Sequence, residues 1–221
     1  MKKYFLLLFA FIGLATGKAQ VINDMGLEGL LLETKDSDIL KTVEGSPYWN
    51  EDFRYGTVAL GEKQPLKAFM RYNAEKETVE IKTAQESEKT YVLPLNRKAI
   101  YVIGDEVFLY DEIFYDNKKI SGYFIEHYNG DTYRLLEKPV ISRSRAVKAN
   151  SSYESDKPAK IYVKSELYVV TEGSVAQEVR PKTKDIKKAF PSKRAKEFLS
   201  DHKIKEKEDL VSFLEFMEQQ S

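Results

Sequence analysis

The chain of 221 residues has no cysteine, two histidines and one tryptophan. With no cysteine there is no disulfide staple, so stability must come from an ordinary apolar core. There is also no thiolate for catalysis or metal binding. His127 and His202 stand far apart in the sequence, and two scattered imidazoles without cysteine do not make a structural zinc site or a His-rich catalytic one. No G-x-S-x-G elbow, phosphate-binding loop or dinucleotide fingerprint is present. The run "DSD" at 36–38 has neither the glycine nor the closing glutamate of a calcium loop. Neither sign of charge dominates, with 35 Lys and Arg against 35 Asp and Glu. That balance gives no support to nucleic-acid binding, which calls for a strongly basic domain or stripe. Beyond the first residues, no apolar run is long enough to cross a bilayer.

The N-terminus reads as a secretory signal over residues 1–19. Lys2 and Lys3 form the positive region, Tyr4 to Leu14 the apolar core, and Gly17 and Ala19 the small residues before a cut at Gln20. This apolar core is shorter than the roughly 20 residues of a membrane span. No lipobox cysteine follows, so no lipid anchor is expected. Loss of Lys2, Lys3 and Lys18 leaves 32 basic against 35 acidic groups, a net charge of −3. The remaining charge is uneven. Residues 24–52 hold eight acids and two Lys, whereas residues 139–164 hold six basic residues and two acids. Solvated faces account for both.

After an acidic lead-in, residues 20–44, which pairs as an edge strand or stays partly unpaired, a β domain is expected over 45–180. Its segments are Tyr55–Leu60, Leu66–Tyr72, Thr78–Lys82, Thr90–Leu93, Ala99–Ile103, Val107–Phe114, Ile120–Tyr128, Thr132–Glu137, Lys160–Val163, Leu167–Val170 and Val175–Val179. They are rich in Tyr, Phe, Val and Ile. In one, Leu66, Ala68, Met70 and Tyr72 share a face opposite Lys67 and Arg71, the pattern of a half-buried antiparallel strand. Short glycine turns join the segments, and Asn129-Gly130 reads as a type I′ hairpin. The fold class is therefore mainly β: an antiparallel meander of roughly ten strands, curled or half-barrel. Residues 139–159, with two prolines, read as a long surface loop. From 181 the period becomes helical. Ile186, Ala189 and Phe190, then Ala195, Phe198 and Leu199, then Leu210, Phe213, Leu214 and Met217 mark short amphipathic helices that pack on the sheet.

The run "GSPYWNEDFRYGTV", followed by "FMRYN" and "TVEIK", resembles a group of uncharacterised exported proteins common in the Bacteroidetes, with a G-[ST]-P-Y-x-N-x-x-F-x-x-G-x-V signature and then R-Y-N. The resemblance continues through "KPAKIYVKSELYVV", "DIKKAF" and "HKIKEKEDLVSFLEFM", covering roughly Gly45 to Met217. Trp49 departs from it, an aliphatic residue being commoner there. It implies export and carries no activity. In physical terms Pro47 belongs at a strand edge or turn, Gly45 gives backbone freedom before it, and Asn50 caps a turn. Tyr48 and Trp49 then cover the open end of the sheet. The alternative is a binding surface made of Tyr48, Trp49, Phe53, Arg71 and Tyr72.

No catalytic, cofactor-binding or metal-binding residues are assigned. Asp105, Glu106, Asp111 and Glu112 match a glycosidase pair by number alone and read better as turn and edge solubility. The expected role is a non-catalytic, exported cell-envelope protein that binds or supports a protein partner. The alternative is a periplasmic carrier of a small apolar ligand in a curled cavity lined by Met70, Ile81, Ile100, Val102, Leu109 and Phe124, and a hydrolase ranks below both. No cofactor, nucleic acid or transmembrane segment is expected. The periplasm ranks ahead of the extracellular side.

Overall fold

A computed structural model describes residues 32–34, 43–61, 64–93, 95–149 and 155–219. The expected signal segment, most of the acidic lead-in and the "DSD" run lie outside the described residues. The strands are β1 (Leu32–Thr34), β2 (Glu44–Gly45), β3 (Arg54–Leu60), β4 (Leu66–Asn73), β5 (Thr78–Lys82), β6 (Thr90–Val92), β7 (Ala99–Ile103), β8 (Glu106–Tyr115), β9 (Lys118–Asn129), β10 (Arg134–Ser144), β11 (Lys160–Val170) and β12 (Ala176–Val179). They form one sheet in the order β1-β6-β5-β4-β3-β7-β8-β9-β10-β11-β12, with β2 added in parallel beside β11. The other strand pairings are antiparallel, and among the described residues the ladder runs from β1 to β12 without closing into a barrel. The lead-in does supply an edge strand, because β1 pairs with β6.

Alternation sets the core. Val58, Met70, Tyr72, Ile81, Tyr101, Ile103, Phe108, Tyr123 and Ile125 are buried together. Their rings interlock at 5.3 Å (Tyr72–Phe108), 5.7 Å (Tyr72–Tyr123) and 5.8 Å (Tyr101–Tyr123). Such tilted and edge contacts add about 1 kcal/mol each to the area they bury. The expected apolar lining does not gather around one space. Met70, Ile81 and Phe124 are buried, Ile100 is exposed, and Val102 and Leu109 are half-buried. Ile100 alternates with buried Ala99 and Tyr101, so it faces the other way.

Two turn and loop expectations are corrected. The type I′ hairpin lies at Asp116-Asn117 between β8 and β9, with φ values of 50° and 59°. Asn129 and Gly130 have no positive φ. The loop expected from 139 starts later, because β10 runs to Ser144 in register with β11. Pro139 is tolerated inside the strand for a specific reason. β9 and β10 pair only over Arg134–Glu137. Pro139 follows, and its donor-less nitrogen faces the side that β9 has left. The turn after β4 meets β10 at this parting, through Lys138–Glu77 at 2.9 Å and Arg143–Glu75.

The C-terminal helices are α1 (Thr183–Ala189), α2 (Lys193–Asp201) and α3 (Lys207–Glu218). Ser192 Oγ accepts from Ala195 N at the start of α2, and Glu206 with Asp209 forms a capping box on α3. Ile186, Ala195, Phe198, Leu210, Phe213 and Leu214 bury their stripe against Leu135, Leu167, Val169 and Val179 of β10–β12. Burial of each large side chain here contributes roughly 1.5–3 kcal/mol.

Candidate functional site

The stretch Glu44–Trp49 bridges two strands that stand six ladder steps apart. On one side Glu44 N donates to Ala159 O at 2.9 Å and Ser46 N to Ile161 O at 3.1 Å. On the other, Trp49 N donates to Tyr72 O at 3.0 Å, and Ala74 N to Pro47 O at 2.9 Å. The chain thus crosses from β11 to β4 as a strap before entering β3. Gly45 is required at its start. It has φ +99°, and a Cβ there would run into the carbonyl of Ile161.

Carboxylates pin the strap. Glu80, buried in β5, accepts from Arg71 Nε at 2.9 Å and from Tyr48 Oη at 3.2 Å. The Arg71 guanidinium lies 3.6 Å from the Tyr48 ring centroid and 4.4 Å from that of Phe53. Two rings thus lie against a half-buried guanidinium whose carboxylate partner is buried. Glu106 accepts the Trp49 indole N–H at 2.9 Å and Asn50 Nδ2 at 3.2 Å. Between the strap and β11 lies an open groove of about 580 Å³, lined by Ser46, Tyr48, Trp49, Glu106, Tyr162 and Val163 among others.

The structure sets Tyr48, Phe53 and Arg71 against one another and Trp49 beside them on the strap, whereas the Tyr72 side chain lies elsewhere. It is 1 % exposed and sits in the core. Alternation along β4 already separates it from Arg71. Glu80 and Glu106 complete the cluster as partners of the strap. Their pairings span 32 and 57 positions of sequence, and no local pattern announces them.

A second carboxylate cluster joins sheet and helices. Glu137 Oε2 lies 2.7 Å from His127 Nε2 and accepts from Lys207 Nζ at 2.7 Å. Burial pushes the Glu137 carboxyl up, but hydrogen bonds from His127, Lys207 and Ser165 and the charge of Lys207 outweigh it, holding the pKa down to about 2. This is a pinned carboxylate on β10, with its imidazole partner on β9. Glu218 of α3 accepts from Tyr128 Oη at 2.7 Å and from the amides of Thr132 and Tyr133 at 2.9 and 2.8 Å. A Cβ at Gly130 would collide with that carboxylate. A side chain there would push the Glu218 carboxylate aside without meeting backbone, and the φ of Gly130 is not positive. His202 closes α2, stacked on Phe198 at 4.4 Å.

Two of the four acids that matched a glycosidase pair by number are committed to cations. Asp111 pairs with Arg134 at 2.7 Å, and Glu112 pairs with Lys119 at 2.7 Å and Arg97 at 3.3 Å. Glu106 holds the strap, and Asp105 lies exposed in the β7–β8 turn. No protein-family model, curated protein or solved structure matches the chain.

Proposed function

We propose that this chain is a non-catalytic, exported cell-envelope protein that binds a protein partner through the groove beside the strap. Export is supported by the signal-like residues 1–19 and by the resemblance of the "GSPYWNEDF" region to exported Bacteroidetes proteins. The periplasm is the compartment we favour. The single observation that carries the binding reading is the construction of the groove. Its strap wall is fixed at both ends by backbone bonds, and its aromatic side chains are held by Glu80 and Glu106. A wall already ordered loses little further entropy when a partner docks. The carrier alternative draws less support, since its expected lining is split between buried and exposed positions.

The reading is tested in two steps. Amino-terminal sequencing of the processed chain is expected to begin at Gln20. A photo-crosslinking residue at Tyr162, which is 44 % exposed and lines the groove, is then expected to capture an envelope protein in intact cells. The same residue placed at exposed Leu95 serves as the control. Identical crosslinks from both positions, or none from Tyr162, would sink the proposal.

A further inference from the structure

The outer edge of β11 is occupied at both ends and open in the middle. β2 covers Lys160 and Ile161, and β12 covers Leu167–Val170. Between them, Tyr162–Glu166 have no strand on that edge among the described residues. Alternation decides which groups are open. Ile161 O accepts from Ser46 N on this edge, and Thr171 N donates to Val175 O on the same side. Odd-numbered residues thus turn their N–H and C=O outward, leaving those of Val163 and Ser165 at the gap. An unpaired ladder edge of this kind is a template for another strand. The groove starts at the same place, with Ile161, Tyr162 and Val163 forming the wall that faces the strap.

Side-chain chemistry names the occupant. Lys160, Tyr162 and Lys164 alternate onto one face of β11, and all three are exposed. β2 already shows what pairs with that face. It is a two-residue added strand, and it sets the Glu44 carboxylate 3.0 Å from Lys160 Nζ. Opposite charges on neighbouring strands are favourable pairs. Arg145, Lys148 and Lys157 extend the basic character along the same hairpin, all of them exposed. The gap between β2 and β12 is too short for the full edge of a second folded sheet, but it fits an extended segment.

We infer that the gap between β2 and β12 takes an extended acidic segment of a partner protein as an added strand. Its backbone bonds to Val163 and Ser165, and an acid of the added strand lies against Lys164, as Glu44 of β2 already lies against Lys160. This inference rests on the binding role proposed above and specifies the partner's chemistry.

The probe is a short fluorescein-labelled peptide of alternating Glu and Val, followed by anisotropy at low ionic strength with the purified chain. Val163→Pro removes one outward donor and leaves the β10 ladder intact, so it is expected to weaken binding about tenfold. Lys164→Glu is expected to weaken it about threefold. Amide hydrogen exchange at Val163 and Ser165 is expected to slow when the peptide binds. Should Val163→Pro fail to fold, methylation of the peptide's own ladder-facing amides tests the same bonds from the other side and is expected to abolish binding. Equal binding of a Lys-Val peptide, unchanged affinity of a folded Val163→Pro chain or of the methylated peptide, or protection confined to other amides would each overturn strand addition. A Tyr162 crosslink without slowed exchange at Val163 and Ser165 retires this inference and leaves the binding role standing. Loss of that crosslink retires both.

Discussion

The strap and the C-terminal helices are both fastened to the same sheet, by opposite means. The strap is held by four backbone bonds and two carboxylates, Glu80 and Glu106, with Trp49 packed against the core and Pro47 buried. The helices are held by a continuous apolar stripe, to which Glu137 and Glu218 add directional contacts. Burial is non-directional and is shared among many contacts, so the helices and β10–β12 should open together. A few polar pins make a local attachment, which opens when one pin fails.

The largest effect is expected from Phe213→Ala. Phe213 is fully buried among Phe190, Phe198 and Leu214, and its loss leaves a cavity costing about 3–5 kcal/mol. Urea denaturation is expected to show one cooperative transition at a lower midpoint. Two separated transitions would mean that the helices are a detachable unit, and the comparison would break.

Next comes Glu80→Ala, which takes the buried carboxylate away from the half-buried Arg71 guanidinium and the Tyr48 hydroxyl, at roughly 2–3 kcal/mol. The effect is expected to be local. Trp49 is the sole tryptophan, so strap release reads as a red shift of its emission and faster exchange of its amide. Amides of α3 are expected to keep their protection at low urea. If strap and helices lose protection in parallel, the strap is as cooperative as the helices.

Acid sharpens the comparison. The folded pKa of Glu137, about 2, lies below its ordinary value of 4.5. Its contribution is thus complete above about pH 4.5 and is lost as the pH falls towards 2. The amount is on the order of 2–3 kcal/mol. Urea midpoints measured across that window are expected to fall less steeply for Glu137→Gln than for the parent chain. An unchanged slope would show that the carboxylate adds nothing to the apolar stripe.

The smallest effect is expected from Gly130→Ala, which displaces the Glu218 carboxylate from the β9–β10 turn at about 1–2 kcal/mol. Melting of Gly130→Ala and of Gly130→Ala combined with Glu218→Ala is expected to coincide, because the first change has already removed the contact. Additive losses would mean that the glycine acts through the backbone.

The fold was legible where a pattern is local. Alternation in "LKAFMRY" and the spacing of Leu210, Phe213, Leu214 and Met217 each put the right residues inside. Structure that a distant neighbour decides was not legible. Pro139 looked like a breaker because only the three-dimensional parting of β9 and β10 makes its missing donor harmless. "KSE" at 164–166 has the polarity of a break between strands, but it continues β11 because it lies at an open edge. Asn129-Gly130 carried the dipeptide of a tight turn, but its glycine answers to Glu218, which lies 88 positions beyond Gly130. At the candidate site, Tyr48, Trp49, Phe53 and Arg71 were visible as an aromatic and cationic run. Glu80 and Glu106 were not, because nothing near them in sequence marks which ring or guanidinium they meet.

The contact between Tyr128 and Glu218 spans 90 positions. The apolar face of β10–β12 is complete in the sequence at Val179, whereas α3, which covers it, begins only at Lys207. Closing a span of that length is slow compared with forming the adjacent hairpins. For an interval the folding chain therefore carries a formed sheet with one greasy side bare. That interval, rather than any weakness of the folded form, is when the molecule is most exposed to aggregation and most dependent on a holding chaperone.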